Sequence, residues 1–187
     1  MKKVQTVFLV TAFFAAIALL GSSCKKSDTT PPMMTKTLYD SLGGTTMVPD
    51  PAVQGAMIEK GRLGIRSVVD SAIFVIAADT NINVYFKVLL QEVSSGNLSG
   101  FKALSKNLTD FFCVGTGAKN FTYGGKDMVS AHNPATNPRM NGKAMNDDFD
   151  SFIKDVVVAA KKNGLPDYLI ARLGTIINSL RSQVVQA

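Results

Sequence analysis

Four apolar stripes at the helical period constrain this chain more than any other feature. Ile65, Val68, Val69, Ala72, Ile73 and Ile76 recur three or four residues apart, and so do Phe101, Leu104, Leu108, Phe111 and Phe112. Phe149, Phe152, Ile153, Val156, Val157 and Ala160 form a third set, and Leu169, Ile170, Leu173, Ile176, Ile177, Leu180 and Val184 a fourth. Such spacing gathers each set on one helix face. No segment of comparable length alternates at period two, so the expected fold is all-α. The punctuation agrees. Asp79-Thr80-Asn81 breaks the first helix, Asn163-Gly164 ends the third, and Pro166 opens the last. Met47 to Met57, with Pro49, Pro51 and Gly55, reads as a loop between two helical pieces, and Val93 to Gly100 as another.

The amino terminus reads differently. Lys2 and Lys3 precede an almost wholly apolar run, Val7 to Leu20, and then Gly21-Ser22-Ser23-Cys24. This is the pattern of a secretory signal. The small residues before Cys24 resemble a bacterial lipobox, with Gly21 where leucine is commoner and Leu20 one place further back. The expectation is a signal peptide over residues 1–23, lipidation of Cys24, a polar tether over 24–36 and a single domain over 37–187. The protein would then be exported and anchored by lipid to a bacterial membrane, on its periplasmic or cell-surface side. An ordinary signal peptide with a stray cysteine is the alternative. Loss of Lys2 and Lys3 lowers the formal charge of +6 by two. That mild basicity, without a Lys/Arg cluster interleaved with aromatics, supplies no argument for a nucleic-acid partner. Cys113, after Phe111-Phe112, is expected in the core.

His132 is the chain's only histidine. Serine triads and multi-histidine zinc sites need partners that this chain does not offer in that form. One imidazole suffices as the axial ligand of a haem iron, because the porphyrin supplies four nitrogens. A lone histidine also fits a solvated or core-satisfied residue. An independent hydrolase is disfavoured, since no candidate nucleophile has a spare base.

Several ordered motifs decide between these readings. Leu38-Tyr39-Asp40-Ser41-Leu42-Gly43-Gly44 resembles the opening helix and glycine pair of the truncated haemoglobins, most closely their first group. Val68-Val69-Asp70, Ala78-Asp79 and Tyr85-Phe86 resemble that family's second helix and following corner. Phe111-Phe112 resembles the end of its distal helix. Tyr123-Gly124-Gly125 with Asp127-Met128 and His132 resembles its second glycine motif and ligand helix, and Gly164-Leu165-Pro166 the corner before its last helix. The resemblance runs in order over about residues 37–185.

That resemblance implies a two-over-two helical sandwich around haem b, iron protoporphyrin IX, with His132 on the iron. It implies Phe86 against the porphyrin, Met128 one turn before His132, and Phe149 and Phe152 closing the proximal side. Ile73 falls where the first group commonly has a hydrogen-bonding tyrosine. Leu104 and Leu108 fall at the distal-helix positions, and Phe111 follows them on the same wall. In that register no donor faces the bound gas, unless Tyr85, Ser105 or Tyr123 supplies one through a shift of register. Lys102, Lys106 and Lys126 are candidate propionate partners by sign, and Met140 or Lys143 lies in a long link that could reach the haem edge. The implied partner is a diatomic gas: oxygen, nitric oxide or carbon monoxide. Redox activity of a nitric oxide dioxygenase or peroxidase kind stays open. The competing functions are haem capture or storage through the same pocket, and a helical module without haem.

Overall fold

The computed structural model describes residues 36–187. The signal, Cys24 and nearly all of the tether lie outside the described residues. The first stripe folds as α2, Lys60–Ala78, and every residue of its apolar set is buried. α2 packs against α4, Ser99–Gly115, and against α6, Asn146–Lys162, which in turn packs on α7, Asp167–Asn178. Two helix pairs thus face each other across the α2–α6 contact, the two-over-two arrangement that the resemblance implies. The core they share includes Val69, Ile73, Phe112, Phe149, Val156 and Ile177.

Local chemistry sets the helix ends. α2 stops at Asp79, which is extended and whose Oδ1 accepts from the Asn81 amide at 2.9 Å. The Asp148 carboxylate accepts from the Met145 amide at 2.7 Å at the start of α6, and Asp147 and Asp148 in the first turn with Lys161 and Lys162 in the last suit the helix dipole. Gly164 ends α6 at φ +74°, a left-handed value that glycine adopts without penalty. The short α1, Leu38–Ser41, is closed by a reciprocal Thr37–Asp40 capping box. It rides close on α2: a Cβ at Gly61 would lie 2.8 Å from the Tyr39 ring.

Three expectations need correction. Residues 47–57 are not simply a loop. Met47–Pro49 (β1) and Met57–Glu59 (β2) form an antiparallel hairpin with Val48 opposite Ile58. Three-residue strands are too short to show alternation, and Pro49 is tolerated because each strand is an edge. The fourth stripe is not one helix either. It breaks at Ser179-Leu180 into α7 and α8, Arg181–Val184, while Arg181 turns back to Asp150 and lies 4.6 Å over the Phe149 ring. Between α2 and α4 lie a 3-10 turn, Asn83–Phe86, and α3, Lys87–Ser94, so the second expected loop is only residues 95–98.

One buried group works against the fold. Asp155 on α6 is 8% exposed and its Oδ2 has no hydrogen-bond partner. Burial, with the Asp79 carboxylate adding to it, holds its carboxyl above the usual carboxylate range. A carboxyl raised in the folded state favours folding only while protonated, so its contribution is lost as pH rises above about 4. Asp155→Asn is therefore expected to stabilise the protein by about 1–2 kcal/mol at pH 7, with the gain shrinking below about pH 4. Urea melts at both pH values check this; equal gains at both would contradict it.

Candidate functional site

His132 stands at the C-cap of α5, Met128–Ala131, a single turn started by Asp127, whose Oδ1 accepts from the Ser130 amide at 2.9 Å. Four-residue spacing brings the His132 ring back over the Met128 carbonyl, and the Nδ1–O distance is 2.8 Å. A carbonyl only accepts, so Nδ1 carries the proton and donates. Nε2 then holds the free lone pair. Burial lowers the imidazole's pKa and so favours the neutral ring, against the Met128 hydrogen bond, which raises it by a smaller amount. A neutral imidazole with Nδ1 tied to a carbonyl and Nε2 free is prepared as a metal ligand. Among the described residues no three His, Cys, Asp or Glu side chains converge on a metal-ion site. The donor set is thus one nitrogen, the number a porphyrin-bound iron requires from one side.

The apolar residues divide into two groups. Ile73, Leu108 and Phe152 line one cavity of about 50 Å³, with Val69, Ala72 and Val156. Thr116 also borders it, but its hydroxyl is spent on the Phe112 carbonyl at 2.6 Å. A space of this size holds molecules on the scale of one or two waters, far below the several hundred Å³ of a cofactor pocket. Phe86, Leu104 and Phe111 are half-buried and pack on the same core cluster as Ile73 and buried Phe149. Phe149 and Phe152 lie 6.0 Å apart, and Phe111 meets Tyr123 edge-on at 5.3 Å. Met128 and His132 form the second group, on α5, which backs onto α8. Neither lines the cavity.

Each polar group that a shift of register offers to the cavity is committed elsewhere. The Tyr85 hydroxyl donates to Asp148 at 2.6 Å, and Tyr123 to the Lys126 carbonyl at 2.7 Å. Ser105 donates to Asp70. A hydroxyl has one proton to give, so none of the three is a free donor. Of the candidate lysines, Lys106 pairs with Asp110 at 2.7 Å, which also holds Arg62 at the same distance. Lys102, Lys126 and Lys143 are exposed, and Met140 is half-buried. Cys113 is fully buried, and burial pushes its thiol up to about 11.

Sequence reasoning missed the polar hardware after His132. Asn137 and Thr136 bond back to α5, donating to the Ala131 and Ser130 carbonyls at 2.7 and 2.8 Å. Arg139 forms a two-pronged pair with Glu92 on α3. The available signal was the pair of Asn-Pro steps at 133–134 and 137–138, which mark consecutive turns.

No protein-family model matches the sequence, and no curated protein is similar to it. Solved structures are similar to it. Three are crystal structures of variants of the truncated haemoglobin from Tetrahymena pyriformis in the Fe(III) form. Each is 22% identical, covers 81% of this chain and 100% of its own, and superposes with a TM-score of 0.58.

Proposed function

We propose that this truncated-globin fold binds haem b through His132 and serves a diatomic gas on the opposite face. The observation that carries the reading is the His132 ring, whose Nδ1 is tied to the Met128 carbonyl so that Nε2 is left as the one unspent nitrogen. Phe86, Leu104, Leu108 and Phe111 would contact the porphyrin, with Met128 beside the ligand and Phe149 behind it, while Phe152 lines the cavity it shares with Ile73 and Leu108. When bound, haem would supply an iron able to take up oxygen, nitric oxide or carbon monoxide. The chain's own work is to hold a neutral imidazole, exclude water with apolar walls and present Ile73 and Leu108 at the small cavity.

Hemin titrated into the full chain tests this. A stoichiometric Soret band that shifts on reduction and on addition of carbon monoxide is the expected result. Absence of a saturable band leaves a helical module without haem. The same apolar cavity favours haem capture or storage as the second reading, since Ile73 and Leu108 offer no hydrogen bond to a bound gas. Rapid loss to an acceptor protein would favour it over gas chemistry.

The reading includes export and lipidation at Cys24, supported by the Val7–Leu20 run and the small residues before that cysteine. Among the described residues no single helix is long and apolar enough to cross a membrane. The mature chain is expected in the membrane fraction with an intact mass that begins at an acylated Cys24. A mass that retains residues 1–23 would rule this out.

A further inference from the structure

The segment after His132 makes bonds that a mere connection between two helices does not need. It first folds back on the ligand turn, through Thr136 to the Ser130 carbonyl and Asn137 to the Ala131 carbonyl. It then reaches α3. Arg139 donates from Nη1 and Nη2 to the two Glu92 carboxylate oxygens on α3, at 2.8 and 2.6 Å. That ion pair covers Gly100 in the first turn of α4, where a Cβ would collide with both the carboxylate and the guanidinium. Asn141 next bonds to the 3-10 turn, its amide to the Tyr85 carbonyl at 3.3 Å and its Nδ2 to the Val84 carbonyl at 3.0 Å. Phe86 follows directly.

A strand of chain fixed to α5 at one end, and to the start of α4 and the Phe86 turn at the other, must span the gap between them. Under the haem reading, on which this inference rests, that gap is the edge of the slot between ligand helix and distal helix. We propose that residues 133–143 are a clasp across the edge of the haem slot, latched by Arg139 and Glu92, and that this latch governs how long haem stays bound. A two-pronged guanidinium–carboxylate pair suits a latch. Its planar fork fixes orientation as well as distance, whereas one lysine could meet only one oxygen in this geometry. Glu92 is ionised above its lowered pKa, set chiefly by the Arg139 hydrogen bonds, so the latch is closed at neutral pH.

The test is haem transfer from the hemin-loaded full chain to excess apomyoglobin. Arg139→Gln and Glu92→Gln are expected to release haem about three- to tenfold faster, the range for a well-formed but partly exposed pair. Arg139→Lys should fall between them and the wild type. The charge swap, R139E with E92R, should return the rate toward wild type. Carbon monoxide association should change little, because the latch touches the slot's edge and not the gas cavity. Hydrogen exchange of residues 135–143 in the apo chain should quicken in Arg139→Gln even if its melting temperature is unchanged. Hemin loss indifferent to Arg139, or a swap that releases as fast as the single variants, would overturn the clasp while leaving the haem reading intact. A wild-type chain that takes up no hemin would instead overturn the haem reading and the clasp with it.

Discussion

His132→Gly is expected to weaken hemin binding by more than about a hundredfold, because even the loss of an outer-shell partner of a metal ligand commonly costs 10- to 100-fold. Added imidazole should restore much of the Soret band by occupying the space the side chain vacated. The rescue matters more than the loss. A variant that lost haem through a collapsed fold would not recover when a free ring is supplied. The protonation state gives a second handle. Burial depresses the His132 pKa, so the folded state keeps the ring neutral where the unfolded chain would protonate it. Stability linked to this group is therefore fully present above about pH 6.5 and declines as pH falls below it. His132→Gly should flatten that part of the apo stability profile. A Soret band unchanged in the variant would remove His132 from the site.

The helical stripes made most of the architecture legible because burial on α2 leaves a repeated mark. Val68, Val69, Ala72 and Ile73 all had to be apolar, and that is readable without coordinates. Gly164 and Pro166 were legible for another reason: each imposes a backbone conformation through its own covalent structure. What stayed hidden depends on pairing across the chain. The β1–β2 hairpin carries too few residues to print a period. The break at Ser179-Leu180 comes where Arg181 turns to Asp150 and Phe149 on α6, a pairing distant in sequence. The polar candidates show the same limit at the site. Tyr85 is an available hydroxyl in the sequence, and only the fold shows it spent on Asp148. Arg139 carries no signal in the sequence, and only the fold brings Glu92 of α3 beside it.

Ile73→Tyr is expected to slow oxygen dissociation from the haem-loaded protein by about ten- to hundredfold. Ile73 is buried on α2 and faces the cavity of about 50 Å³ that Leu108 and Phe152 also line. No free donor reaches that space from Tyr85, Ser105 or Tyr123, so under the haem reading an oxygen ligand carrying partial negative charge would have no hydrogen bond there. A donor to such a group contributes roughly 1.5–3 kcal/mol, and each 1.4 kcal/mol is tenfold in an equilibrium or, when the bound state alone is stabilised, in a dissociation rate. The cavity receives part of the larger ring, and the remaining overpacking costs about 1–3 kcal/mol of fold stability. Ile73→Phe carries nearly the same steric cost without the hydroxyl, so the ratio of the two variants isolates the hydrogen bond. Carbon monoxide, which gains less from a donor, should leave at a similar rate from all three proteins. Slower oxygen release in the tyrosine variant alone would show that the wild-type distal side lacks a donor, which favours haem capture or weakly retained gas over stable oxygen carriage. Equal oxygen rates in the tyrosine and phenylalanine variants would mean that a donor already reaches the bound gas or that Ile73 does not face it. In either case the apolar reading of the distal cavity would have to be abandoned.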